Sequence, residues 1–543
     1  MEQLFYNGKI FTSQEERPYA EAMLVRDGRI VRTGSMEDFT QRLEQTDGID
    51  LEGRTVIPGF VDAHMHPVML AEYSRQIACL PPKINSIREL TEEIGRQREQ
   101  TPEGGWIRGW GYDEGKYEER RGPNRYDLDR GAPDRPVFLV RSCEHIRCVN
   151  SRALEIAGIT RDTPDPPGGS IDRDERGEPT GILRESARDL VLPFMPEQTE
   201  EELVSALVDL GQLLLSQGIV AVADMGNLHP GGNYELFRKA AQRGMQQRVS
   251  LYYMWDYFKD DPDFALTEEL MDPQRQIRIA GLKLIGDGSI SGRTAWLQEP
   301  YLNTEDFGMP VYADEDLESA IRFADRCGCQ ISVHAMGGRA IDRIVDRAVR
   351  EQAAASWRGS DFGAAAKGHA APRWRVEHVT EPSEHAMKLA AERGIAFVSQ
   401  PIFEYCEIET YRANMDGERL KRLYPYHTML ARGIDLSFST DAPATSWAVP
   451  SDPFSNLKSA VSRRAYDGTD IGQDEKVDIE TAIRLYTAHA ARVCGFGGLG
   501  QLAPGYSADF AVLSEDIFTM DPDRLDQAQV EETYIRGRRV YRR

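Results

Sequence analysis

Residues 314–350 read DEDLESAIRFADRCGCQISVHAMGGRAIDRIVDRAVR. Two segments with helically spaced apolar positions, 316–328 and 339–352, enclose a short apolar run, QISVH (330–334), that ends on a histidine. This is one step of a βαβ rhythm, in which a period of 3.6 alternates with a brief strand. The rhythm continues through strand RWRVEH (373–378), helix EHAMKLAAERG (384–394), strand IAFVSQP (395–401), helix LYPYHTMLARG (423–433) and strand IDLSFSTD (434–441). Upstream, VIPGFVDA (56–63), GIVAVADMG (218–226) and IRIAGLKLIGDGS (277–289) read as further strands. Strands this short and apolar belong to a parallel sheet covered on both faces. The pattern predicts an α/β fold, a (β/α)₈ barrel over about 59–490.

Both ends of the chain read differently. LFYNGKIFT, EAMLVRDGRIVRTG and GIDLEGRTVIPG at the start, and GQLAPGYSADFAVLSEDI and VEETYIRGRRVYRR at the finish, are β-like runs broken by Asn-Gly, Asp-Gly and Gly. Residues 1–58 and 491–543 are therefore expected to form one small β-sandwich domain from the two termini. Between about 70 and 215 the rhythm breaks into segments such as PDPPGGSIDRDERGEP, expected to be an inserted subdomain over the barrel mouth. Residues 358–370 read as a flexible surface loop.

Composition narrows the function. A net charge of -23 and a pI near 5.0 argue against nucleic acid, whose phosphates need a clustered positive surface. No basic-then-apolar leader opens the chain and no run of about 18 apolar residues interrupts it, so neither export nor a membrane span is expected. Seven scattered cysteines, an odd number, suit reduced thiols in a cytoplasm better than a disulfide framework. Cys327 and Cys329 have no second cysteine pair nearby, which argues against a four-sulfur zinc site.

The ends of the strands carry the chemistry. In a (β/α)₈ barrel the C-terminal strand ends share one mouth, so residues far apart in sequence converge there. Those ends carry His64, His66, Lys283, His334, His378 and Asp441. His64-Met65-His66 places two imidazoles on one side of a period-two strand, where both can grip one ion. Asp441 can ligate weakly and take a proton from activated water, or it can be a helix N-cap. Lys283 is one of 11 lysines set against 54 arginines, and it sits inside an apolar strand. A buried ammonium must pair, lose its proton or be modified. Pairing with Asp287 is the plain alternative to modification.

PGFVDAHMHP (58–67), GLKLIGDGSISGRTA (281–295), VHAMGGRAID (333–342), RVEHV (375–379), SQPIF (399–403), FSTDAP (438–443) and GQLAPGYSADFAVL (500–513) together resemble the amidohydrolase superfamily. More narrowly they resemble its family-3 branch, the YtcJ-like proteins, which include N-substituted formamide deformylase. The likeness extends to GWGYDEGKY (109–117), RPVFLV (135–140) and VNSRAL (149–154). It implies a site for one or two divalent ions, zinc foremost, with Mn2+ or Fe2+ able to replace it. His64 and His66 would hold the more buried ion with Asp441, a CO2-derived carbamate on Lys283 would bridge, and His334 and His378 would hold the other. Hydroxide shared by the ions would attack a carbonyl, and Asp441 would shuttle its proton to the leaving amine. A homodimer acting on a small molecule is the further implication.

Three positions depart from the family's habit: Gly337-Gly338 after His334, Cys143-Glu144-His145 before Val149-Asn150, and Phe403 where a histidine is common. They leave the expected ligands intact and turn attention to His145, Trp110 and Phe403 as substrate contacts. The insertion also carries Trp106, Tyr112 and Tyr117, which suit either an aromatic ligand wall or the insertion's own core. The activity expected is hydrolysis of a non-peptide C–N bond, such as an N-acyl or N-formyl amide. A mononuclear deaminase or other cyclic C–N hydrolase is the alternative, and it would not need a bridging Lys283. A non-catalytic scaffold would have lost ligands, whereas all six positions are present here.

Overall fold

The computed structural model describes residues 2–43, 48–142, 145–196, 198–226, 232–354 and 371–543. Cys143, Glu144 and the expected loop at 358–370 lie outside the described residues.

Eight parallel strands form one sheet in sequential order. They are β1 (Phe60–Met65), β2 (Ile219–Asp224), β3 (Arg248–Met254), β4 (Ile277–Ile285), β5 (Gln330–Ala335), β6 (Trp374–His378), β7 (Ala396–Ser399) and β8 (Leu436–Phe438). All seven neighbouring pairs run parallel. β8 and β1 meet just past their ends, where Asp441 N donates to His64 O at 2.7 Å and His66 N donates to Ala442 O at 2.8 Å. Helices follow the strands as the sequence pattern predicts. Asp314–Cys327 buries Leu317, Ala320, Ile321 and Ala324, and Gly328 ends it at φ 74, a left-handed turn that glycine adopts without strain.

Two readings change. β3 was not anticipated from the sequence: RVSLYYM is a short, mostly apolar run with no charged residue to mark its end, which periodicity cannot tell from buried helix. VIPGFVDA, read as one strand, is two. Thr55–Pro58 belongs to the terminal domain and Phe60–Met65 to the barrel. The break falls at Gly59, where a Cβ would approach Val220 to 2.5 Å.

The terminal domain is a β-sandwich. One sheet holds Glu2–Tyr6, Ala22–Arg26, Arg29–Gly34 and Gly48–Asp50; the other holds Lys9–Phe11, Tyr19–Ala20, Thr55–Pro58, Phe510–Leu513, Val530–Ile535 and Arg538–Arg542. The termini meet where Phe510 pairs with Pro58 and Ala511 with Ile57. Phe5, Met23, Val25, Val56, Phe510 and Tyr534 fill the space between the sheets. Each such buried phenylalanine contributes roughly 1.5–3 kcal/mol of transfer free energy.

Val68–Ala206 with Ser446–Pro450 forms a second compact unit. Its six-stranded mixed sheet runs from Ile77–Ala78 through Ile107–Tyr112, Val137–Arg141, Ile146–Val149 and Pro179–Glu185 to Gly169–Arg173. Apolar clusters pack against it: Tyr112 and Tyr117 lie in one, Trp110 in the other. Among the described residues no helix is long and apolar enough to cross a membrane.

Candidate metal centre

His64 and His66 stand at the end of β1, and their rings converge on one carboxylate. Nε2 of each lies 3.2 Å from Oδ1 of Asp441. Among the described residues these three are the group of His, Cys, Asp and Glu donors whose ligand atoms all lie within 4.8 Å of one another. The rings of His64 and His378 are 4.9 Å apart, and those of His378 and His334 are 4.3 Å apart. Four imidazoles from β1, β5 and β6 thus form a continuous group beside the Asp441 turn.

The backbone is strained where these residues leave their strands. Asp441 sits at φ 56, His378 at φ 74 and Val379 at φ 52. A left-handed β-branched residue is a genuine outlier, and each such residue costs of order 1–3 kcal/mol, which clusters at functional sites. The kink has a local consequence. Glu377 and His378 would point to opposite faces of an extended strand, yet both reach His64: Glu377 Oε2 lies 2.7 Å from its Nδ1.

Each imidazole commits one ring nitrogen to an oxygen. Nδ1 of His64 faces Glu377 at 2.7 Å, Nδ1 of His66 faces Gly226 O at 3.1 Å, and Nε2 of His334 faces Gly288 O at 2.9 Å. Nδ1 of His378 faces Gln400 Oε1 at 2.9 Å, while the Gln400 amide nitrogen donates to Ser439 Oγ at 2.8 Å. These oxygens accept hydrogen bonds, so the facing nitrogen carries the proton and the other keeps a lone pair. The remaining ring nitrogens are Nε2 of His64, His66 and His378 and Nδ1 of His334, and those of His64 and His66 face Asp441 Oδ1 at 3.2 Å. Histidines serving only as core would satisfy both nitrogens.

Burial sets the charges. It holds His334 down at about 4, helped by Lys283, and holds His378 well below its ordinary range, helped by His334. Burial also pulls His66 down, but Asp441 overcomes it and the net shift is upward. Burial would raise Asp441, yet the surrounding imidazoles, His64 first, hold it well below the carboxylate range. Asp441 Oδ1 is buried without an aligned hydrogen-bond donor.

Lys283, on β4, is 2% exposed, and its Nζ has no hydrogen-bond partner among the described residues. Burial lowers it to about 8, against the pull of Glu377 and Asp441. The ion pair with Asp287 does not form. Asp287 instead accepts the backbone amides of Trp296, Gly337 and Met336 at 2.8, 2.9 and 3.0 Å. This also accounts for Gly337: a Cβ there would sit 2.2 Å from the Trp296 backbone, so the amide reaches Asp287 only without a side chain. A buried carboxylate oxygen without an aligned donor and inward lone pairs fit a divalent cation, whereas a bare ammonium among them has no acceptor.

The expected substrate contacts fare differently. Phe403 stacks on His378, with centroids 5.6 Å apart and planes 14° apart. Trp110 is 5% exposed, stacks on Tyr73 at 5.1 Å and packs in the core of the second unit. Trp110 is thus a core residue there, and so are Tyr112 and Tyr117, whose hydroxyl donates to Cys79 O at 2.9 Å. Aromatic side chains in that unit are used to stabilise its own sheet. His145 belongs to the same unit, is exposed and faces Glu185 at 3.0 Å. His145 and Trp110 thus both belong to the unit Val68–Ala206.

Several residues around the centre were missed in the sequence. Asp62 is buried and pushed up to about 6 by that burial. It accepts from His64 N at 3.1 Å, Thr440 N at 3.2 Å, Thr440 Oγ1 at 2.6 Å and the Tyr486 hydroxyl at 3.0 Å, so it clamps β1 to the turn after β8. Its position two before His64, on the same strand face, was the available signal. Glu377, Arg375 and Gln400 had none.

A barrel of parallel strands with imidazole lone pairs and a carboxylate gathered at its strand ends is the architecture of a metal-dependent hydrolase. The amidohydrolase family model matches residues 47–541, and the chain belongs to that family. It is therefore an enzyme, a hydrolase acting on carbon–nitrogen bonds. It is 30% identical to the putative amidohydrolase YtcJ of Bacillus subtilis over 551 residues, covering 100% of this chain and 99% of the relative. It is 28% identical to N-substituted formamide deformylase of Arthrobacter pascens over 555 residues, 99% of this chain and 98% of that one. A solved metal-dependent hydrolase of Pyrococcus horikoshii superposes with a TM-score of 0.72 at 25% identity, over 96% of this chain and 99% of the other.

Proposed function

We propose that this enzyme hydrolyses the C–N bond of a small non-peptide amide, of N-acyl or N-formyl type, with Asp441 as the proton shuttle. The observation that carries the reading is the set of ring nitrogens not engaged by a backbone, Gln400 or Glu377 oxygen: Nε2 of His64, His66 and His378 and Nδ1 of His334, the first two facing Asp441 Oδ1. The likeness to N-substituted formamide deformylase over 99% of the chain supports the N-formyl class.

His64, His66 and Asp441 would hold one divalent ion, zinc by the chemistry of these donors, and His334 and His378 a second. Such ions supply Lewis acidity and bring water's pKa from about 15.7 toward 7. Lys283, lowered to about 8 by burial and without a hydrogen-bond partner, reaches the free amine that adds CO2 more readily than an ordinary lysine. A carbamate there would turn an unpaired cation into an anionic ligand. Asp441 takes the proton of the attacking water on its carboxylate and delivers it to the departing nitrogen. Asp62 and the seam hydrogen bonds keep Asp441 against His64 while that transfer occurs. Phe403 shields one face of His378 from water.

The test is a panel of N-formyl, N-acyl and cyclic amides, assayed for released amine and ammonia in zinc-loaded protein. Turnover of the acyclic amides is expected. Turnover of cyclic amidines alone, with ammonia released, would overturn the reading in favour of a deaminase.

A further inference from the structure

We infer that Glu377, locked by Arg375, is a positioning residue that holds His64 as a metal ligand. This rests on the metal-centre reading above. Three of the four imidazoles are oriented by neutral oxygens, those of Gly226, Gly288 and Gln400. His64 is oriented by a carboxylate, at 2.7 Å. Glu377 and Arg375 are both 0% exposed, so this carboxylate is not a solvated bystander.

Its oxygens are filled from all sides. Oε2 accepts from His64 Nδ1 at 2.7 Å and from Arg375 Nη2 at 3.0 Å; Oε1 accepts from Ser332 Oγ at 2.8 Å and from Arg375 Nε at 2.5 Å. Arg375 Nη2 also donates to Ala63 O at 2.5 Å, the residue before His64, and Nη1 donates to the Tyr252 hydroxyl at 3.1 Å. One guanidinium therefore grips both the carboxylate and the strand that carries the histidine. Burying an ion pair is costly, and an apolar pair of similar volume would serve packing as well. What the pair adds is direction and charge. The carboxylate keeps the proton on Nδ1, aims Nε2 at Asp441 and makes that nitrogen a stronger donor.

The experiment strips the full-length protein of metal and titrates it with zinc against a chromophoric chelator. Selectively labelled histidine reports the His64 tautomer by ¹⁵N shift in the metal-free protein. Glu377→Gln is expected to weaken the tightest zinc equivalent by about 10–100-fold and to lose the protonated Nδ1 signal of His64. Ser332→Ala removes one hydrogen bond from Oε1 without changing charge, and should weaken the same equivalent by roughly 3-fold. That variant decides the matter if Glu377→Gln does not fold. Lower thermal stability with zinc affinity and tautomer unchanged would overturn the assignment and leave Glu377 a packing residue. Wild-type protein that binds no zinc would instead sink the metal-centre reading itself, and this inference with it.

Discussion

The backbone amide of Asp441 donates to the carbonyl of His64 at 2.7 Å, while their side chains meet at 3.2 Å through Oδ1 and Nε2. One of the two main-chain bonds that join the last and first strands is thus made by two residues of the candidate centre. Disturbing the seam disturbs the centre, and the reverse does not follow. A side chain can be changed at either position while the main-chain bond remains.

Asp441→Asn exploits that separation. Asparagine tolerates the left-handed φ of 56 at this position, so the seam should persist. Turnover is expected to fall by about 10²–10⁴-fold, the usual worth of general acid–base catalysis, with metal largely retained. Steady-state kinetics beside metal analysis would read this; wild-type turnover in the variant would remove Asp441 from the mechanism.

Metal content is the broader check. The protein purified without chelator should carry between about one and two equivalents of zinc or another divalent ion. Chelation should abolish activity and added metal should restore it. Elemental analysis finding less than about a tenth of an equivalent would contradict the hydrolase mechanism.

His64→Ala, His66→Ala and His334→Ala should each lower bound metal while unfolding stays cooperative, because ligands at a barrel's mouth are separate from its stability layers. Metal analysis with chemical denaturation tests all three. Unchanged metal in any one of them would remove that residue from the ligand set.

Lys283→Ala should lose metal and activity together, since the shared anionic ligand is gone. A short carboxylic acid added in solution should restore part of both by filling the vacated space. Full occupancy in this variant would mean that no bridge is needed, and the mononuclear, deaminase-like alternative would move ahead.

Trp110→Ala addresses the second unit. A stacked tryptophan 5% exposed should cost about 3–5 kcal/mol when truncated, seen as early melting or proteolysis of Val68–Ala206. A changed KM with unaltered stability would return Trp110 to the substrate site.

The six candidate ligands were legible because each ends, or lies within, an apolar run in a βαβ rhythm, and barrel topology turns strand ends into neighbours. Seven barrel strands could be read in the same way. Arg248–Met254 could not, being short and mostly apolar, and VIPGFVDA ran Val56–Pro58 together with the next strand although those residues pair with a strand near the C-terminus.

Glu377 shows the limit most clearly. A period of two sends it away from His378, and only the left-handed turn at His378 lets both reach His64. Its partnership with His64 spans 313 residues, and that of Asp62 with Thr440 spans 378. The sequence by itself determined which residue types stand at the strand ends, because periodicity follows from local backbone geometry. Which ring nitrogen keeps its lone pair, which carboxylate is buried and which lysine lacks a partner were decided only by the tertiary structure. Those properties depend on desolvation and on hydrogen bonds from other segments of the chain, 22 positions away for His378 and 313 for His64.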